Sequence, residues 1–239
     1  MKKIFIFIFL FSNVLLASAQ RQTTTVGIQV KPIFPVNFVN TGAESVVQNN
    51  VKFDLTLSSG FSAGMLIRHD FSKLVAVEGG INYVKRKYEL NITDRSFEGT
   101  SFFRIVGYEI PTSLLVYAQL GEKTFMNASL GHSLDMFASD VHSYDYYFTE
   151  RSFRNNLVAS SVLANLGFEY RTERSGNFYI GASYHRPFAF IYTTAIDYNA
   201  NGKNEEVSTN VLGNYLTMDI RYFFFDDPKK KNAPPSDEE

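Results

Sequence analysis

Ser183 and His185 stand two residues apart in a stretch of alternating polarity, and Glu169 lies in the stretch before it. In extended chain, residues i and i+2 share a face. A hydroxyl, an imidazole and a carboxylate brought together there could form an acyl-transfer nucleophile with its base and orienter. The same alternation throws many such pairs together, so ordinary interior polarity is the expected reading and no catalytic residue is assigned. A second candidate is Asp197-Tyr198-Asn199-Ala200-Asn201-Gly202. Oxygen ligands at the first, third and fifth positions and a glycine at the sixth are the first half of a calcium loop. The twelfth position is Ser208, so Glu205 or Glu206 would have to close the site. Asp197, Asn199, Asn201 and Glu205 are the candidate Ca2+ ligands, set against a solvated Asn/Gly turn. The remaining histidines, His69, His132 and His142, have no metal-ligand spacing.

The elements that would position these residues are strands. Apolar residues recur with period two through most of the chain. Eight extended segments follow: 25–34, 59–69, 74–88, 102–120, 125–137, 157–171, 178–192 and 214–225. Most reach the 9–11 or so residues that a tilted strand needs to cross a bilayer. Three connections are short and turn-like: Asp70–Lys73, Gly121–Thr124 and Thr172–Asn177. Four are long: 35–58, 89–101, 138–156 and 193–213. The two kinds alternate, as periplasmic turns and extracellular loops do in outer-membrane barrels. An even strand number would put both termini in the periplasm.

The amino terminus supports export. Met1-Lys2-Lys3 is basic, Ile4 to Leu16 is almost wholly apolar, and Ala17-Ser18-Ala19 fits signal peptidase. Residues 1–19 are expected to be a signal peptide, 20–225 the barrel, and 226–239 a disordered periplasmic tail rich in Pro, Lys and acids. The chain has no cysteine, and no later stretch is long and apolar enough for a spanning helix. The chain has 23 Lys and Arg and 24 acidic residues, and removing Lys2 and Lys3 leaves 23 − 2 = 21 basic against 24 acidic, which argues against nucleic acid as a partner. Aromatics are 15% and charged residues 20% of the chain. An exported, aromatic-rich chain that spans without helices must close into a barrel, since only then are all backbone groups paired in lipid.

The faces agree with this. In the strand before the tail, Leu216, Met218, Ile220, Tyr222 and Phe224 oppose Thr217, Asp219 and Arg221. Val75, Val77, Ile81 and Tyr83 likewise oppose Glu78, Asn82 and Arg86. Apolar-out and polar-in is the pattern of a membrane barrel. Extended to every strand, it places Lys31, Arg68, Arg86, Arg171 and Arg221 inside with Glu78, Glu109, Asp135, Glu169 and Asp219. Five of each sign suit a closed ion-pair network in a narrow barrel, because a buried charge persists only when paired. His132 falls on the lipid face and tests the register. The loop aromatics Tyr144, Tyr146, Tyr147, Phe148 and Phe153 are either partner anchors or a headgroup belt.

The segment Tyr108-Glu109-Ile110-Pro111-Thr112-Ser113-Leu114-Leu115-Val116-Tyr117 resembles a strand of the PorT-like outer-membrane barrels, distant relatives of the OmpA barrel. Ala128–Gly131 and Leu166–Tyr170 resemble the strands that follow it there. Ser113 and Val116 stand where members often carry an apolar residue and a Lys. The resemblance implies an outer-membrane barrel; some members serve protein secretion. The expectation is an all-β, eight-stranded antiparallel up-and-down transmembrane barrel, non-enzymatic, acting as a structural or interaction protein or a subunit of a larger outer-membrane assembly. A lipid-modifying enzyme and a narrow pore are the alternatives. Expected partners are outer-membrane lipid, lipopolysaccharide and other outer-membrane proteins.

Overall fold

The computed structural model describes residues 23–35, 44–200 and 202–225. The expected signal peptide, the expected tail and Asn201 lie outside them. Among the described residues the elements are strands: β1 (Thr23–Phe34), β2 (Glu44–Gln48), β3 (Val51–Asp70), β4 (Val75–Asp94), β5 (Phe97–Gln119), β6 (Thr124–Phe137), β7 (Val141–Tyr144), β8 (Phe148–Arg154), β9 (Val158–Arg171), β10 (Asn177–Pro187), β11 (Tyr192–Ala200), β12 (Lys203–Val211) and β13 (Tyr215–Phe223). No helix there is long and apolar enough to cross a membrane, which says nothing against crossing by strands.

The antiparallel ladders run β1–β13–β10–β9–β6–β5–β4–β3–β2. In addition β1 pairs β3 from Thr23↔Asp70 to Ile33↔Gly60, so β1 has a partner on each side. A smaller sheet runs β12–β11–β8–β7. The short turns at 71–74, 120–123 and 172–176 gather at one end.

Among the described residues, the four long connections are built largely of strands. Segment 89–101 is a hairpin in which β4 and β5 stay paired out to Asp94↔Phe97. Segment 35–58 carries β2 and the first part of β3, turning at Asn49 and Asn50 with φ of 49° and 63°. Asparagine tolerates that left-handed pair, which the right-handed strand twist of a two-residue hairpin requires. Segments 138–156 and 193–213 carry the smaller sheet. Among the described residues thirteen strands thus stand where eight were expected, because the pleat runs on past the apolar band.

The faces change at one level. On β4 the outward residues are Val75, Val77, Ile81 and Tyr83, then Lys85, Lys87, Glu89 and Asn91. The inward residues are Glu78, Asn82 and Arg86, then Tyr88, Leu90 and Ile92. Below the change the sheet is apolar outside and polar inside, and above it the reverse holds. The apolar outer band includes Ile28, Val30, Met65, Ile67, Leu114, Val116, Leu130, Leu166, Ile180 and Ile220, all exposed. Ring contacts mark its two limits: Phe61–Tyr83–Tyr108 above and Phe178–Tyr222–Phe224 below. Aromatic girdles flank the lipid-facing band of membrane barrels in this way.

Above the band, Phe53, Leu55, Leu57, Tyr88, Leu90, Ile92 and Phe103 of β3–β5 pack against Phe148, Tyr192, Ile196, Tyr198, Val207 and Val211 of the smaller sheet. This is a buried apolar core of the soluble kind, and it sits over the polar interior like a cap. Tyr88 stacks on Phe103 at 5.5 Å. Buried rings of this size supply much of the cohesion of such a core.

Candidate functional site

The site of interest is the interior of the larger sheet, where alternation turns ten charged side chains inward. All ten take part in ion pairs, in two groups. In the lower group Arg68 reaches Glu78 at 2.9 Å and Glu169 at 2.5 Å. Arg221 reaches Glu78 and Asp219, both at 2.6 Å. Arg171 closes on Glu169 at 2.6 Å, and Lys31 stands 3.9 Å from Asp219. Arg68 is 1% exposed, with its guanidinium 3.7 Å from the Phe223 ring centroid. Such charges are tolerated in a dry interior only because each faces a partner with good geometry.

The upper group adds a residue the charge tally left out. His185 Nε2 lies 2.9 Å from Asp135 and 3.6 Å from Glu109. Arg86 stands 3.4 Å from Glu109. Tyr215 donates its hydroxyl to Glu109, and its ring stacks on the His185 imidazole at 4.6 Å. Ser133 and Ser161 both donate to Asp135. With the imidazole protonated, two cations balance two carboxylates. Glu109, Asp135 and His185 also converge closely enough to hold a metal ion. The Glu109 oxygen that would ligate it already faces Arg86 and the Tyr215 hydroxyl, and a guanidinium at that distance opposes a second cation. The donor set therefore fits an ion-pair cluster better than a metal.

The other candidates separate. Ser183 donates to Asp219 at 2.6 Å and accepts from Asn165 at 2.9 Å, while His185 faces Asp135 and Glu169 faces two arginines. The Ser183–His185–Glu169 set is not brought together. Asp197 and Asn199 lie on the outer face of β11, and Arg151 holds Asp197 at 2.6 Å. Glu205 of β12 is opposite Tyr198, on the buried face, and accepts from Gln48 and Asn49 at 2.9 Å. Three of the four candidate calcium ligands thus sit in a paired hairpin with Glu205 turned away from Asp197 and Asn199. His132 is exposed on the outer face, in register with Thr112 and Val162, so the facing assigned to β6 holds. Tyr144 and Tyr146 are 76% and 89% exposed, whereas Phe148 is buried in the cap.

Between the two charged groups lies a small cavity of about 30 Å3. Gln29, Lys31, Ser113, Ser129, Asn165 and Ser183 are among its walls. It has room for about one water. Asn165 on its wall also accepts from the Tyr179 hydroxyl at 2.6 Å. Tyr179 lies over Gly167 and Gly181, where an added Cβ would come within 2.3 and 2.1 Å of its oxygen.

Known structures agree on the architecture. The outer membrane protein OprG from Pseudomonas aeruginosa matches with a TM-score of 0.55 at 15% identity, over 85% of this chain and 96% of that one. The translocator domain of the autotransporter NalP from Neisseria meningitidis matches with a TM-score of 0.38 at 11% identity, over 94% and 98%. The outer membrane protease OmpT from Escherichia coli matches with a TM-score of 0.29 at 9% identity, over 86% and 95%. The OprG match, with the antiparallel ladders described above, shows in this chain the antiparallel, up-and-down fold of bacterial outer-membrane β-barrel proteins. No protein-family model and no curated protein matches it, so the PorT-like likeness of Tyr108–Tyr117 stays a resemblance. One expectation is corrected. A likeness to OprG at 15% identity shows the fold alone, and that fold gives no ground for calling this chain non-enzymatic. At a TM-score of 0.29 the protease assigns no activity to it either.

Proposed function

We propose that this chain is a closed, eight-stranded outer-membrane barrel that acts through its extracellular cap as an interaction protein, a subunit of a larger outer-membrane assembly. In this reading β1, β3, β4, β5, β6, β9, β10 and β13 cross the membrane, and the double pairing of β1 closes the ring. The short turns and both termini are periplasmic, and β7, β8, β11 and β12 stand outside the cell. The observation that carries it is the joint filling of the interior. Paired charges occupy the membrane level and an apolar core closes the level above. What remains for a partner is the surface of the cap, where Tyr144 and Tyr146 project from the β7–β8 hairpin. Tyrosine supplies a large amphipathic contact at small entropic cost.

A photo-crosslinking residue at Tyr146, irradiated in native membranes, should yield one dominant adduct, while one at Glu122 in a short turn should not. Adducts no more abundant at Tyr146 than at Glu122 would reject the cap as the binding surface. In planar bilayers the protein should give no stepwise current. Regular channel openings would mean that the two plugs do not seal the interior, and would restore the pore.

A further inference from the structure

Just above the upper aromatic girdle, the outer face of β4 and β5 carries Lys85, Lys87 and Arg104. Lys87 and Arg104 are directly opposite across the ladder, and Lys85 is one outward position below Lys87 on β4. Like charges placed opposite one another destabilise a sheet. None of the three has an ion pair among the described residues. The acid next along the face, Glu89, accepts instead from Asn91 at 2.8 Å. Lys87 Nζ lies 3.9 Å over the ring of Phe102, the residue opposite Glu89, which holds the ammonium on the outer face. Phe61 of β3 stands opposite Lys85, and one outward step below it Tyr83 pairs with Tyr108, at the limit of the apolar band.

We infer that Lys85, Lys87 and Arg104 form a binding site for the phosphate of an anionic outer-leaflet lipid, with the lipid's chains lying on the apolar band beneath. This rests on the membrane orientation proposed above. Height selects the occupant. The three cations lie at headgroup level, directly over the aromatic girdle, where a soluble anion would gain no apolar contact and a lipid phosphate gains both. Basic clusters beside a membrane surface attract anionic headgroups for this reason. A phosphate between Lys87 and Arg104 also turns the cross-strand repulsion into two charge-assisted contacts.

The test uses the full mature barrel in nanodiscs of zwitterionic phosphatidylcholine, with the temperature at which the folded band is lost as readout. Adding phosphorylated lipid A should raise that temperature for the wild type, and the same lipid with its phosphate removed should not. Lys85→Gln/Lys87→Gln/Arg104→Gln should lose most of the shift. Arg104→Gln alone should fold at least as well as the parent in phosphatidylcholine, because the opposed charge is gone, yet respond more weakly to lipid A. An undiminished shift in both variants, or an equal shift with inorganic phosphate alone, overturns the lipid site. Protease cleavage at the β7–β8 tip on intact cells reads the orientation separately. A tip protected outside and cleaved only from the periplasm would sink the orientation instead.

Discussion

Replacing Arg68 by methionine should lower the unfolding free energy of the barrel by roughly 3–5 kcal/mol, the usual cost of leaving a buried charge without its partner. Arg68 is buried in the wall between Glu78 and Glu169, with its Nε and Nη2 on one carboxylate and Nη1 on the other. Methionine keeps an apolar stem while removing the charge and the guanidinium's contact with the Phe223 ring. Glu78 retains Arg221 and Glu169 retains Arg171, which places the loss toward the lower part of that range. Adding Glu169→Gln should recover part of it, because the orphaned carboxylate goes as well, and the double-mutant cycle measures the coupling. The control is Lys123→Gln. That residue pairs with Glu173 in an exposed turn, with side chains 44% and 79% accessible. Exposed pairs of this kind contribute about 1 kcal/mol or less. Urea unfolding in detergent reads the parent, Arg68→Met, Glu169→Gln, the double variant and the control. A loss for Arg68→Met no larger than for Lys123→Gln would mean that water solvates the interior charges.

The interior network was legible in the sequence because a single rule, alternation, fixes which side each residue faces. Lys31, Arg68, Glu169 and Arg221 all lie where period two puts them. His185 and Tyr215 obey the same rule: extending the inner face Thr217, Asp219, Arg221 back by one step reaches Tyr215. Weighing His185 only against Ser183 and Glu169 hid its real partners, Glu109 of β5 and Asp135 of β6. Pairing across strands distant in sequence cannot be read from the spacing within one strand.

The cap was written in the same alternation but with opposite meaning. Val51, Phe53, Leu55 and Leu57 alternate with Lys52, Asp54 and Thr56, as plainly as any membrane strand. In water the apolar face turns inward and in lipid it turns outward. A segment such as β4 that crosses from one solvent to the other therefore exchanges both faces without any break in the pleat. Tyr83 followed by Lys85 outside, and Arg86 followed by Tyr88 inside, mark that crossing. Reading 89–101 and 193–213 as loops followed from looking for one facing throughout.

The cap also holds a group whose effect depends on pH. Glu150 of β8 is fully buried between Phe148 and Ser152, opposite Ile196 of β11. Ser152 donates to one of its oxygens and in turn meets Thr194 at 2.7 Å; the other oxygen has no hydrogen-bond partner. Burial pushes its carboxyl up to about 7 from 4.5, and the Ser152 hydroxyl opposes this only in part. Between those two values the folded cap keeps a proton that the unfolded segment releases, so stability falls as pH rises through that window. At about 1.4 kcal/mol per pKa unit, the cap should lose roughly 3 kcal/mol between about pH 5 and pH 8. Amide hydrogen exchange in Thr194–Tyr198 reads the opening locally, free of the membrane strands. Glu150→Gln keeps the shape of the neutral acid and cannot ionise. Referred to that variant, which cancels the intrinsic pH dependence of exchange, protection of the wild-type cap should match near pH 5 and fall well below it near pH 8. Equal protection of the two proteins at both values would show that the carboxylate stays solvated, and that the core above the membrane level is open to water at β8.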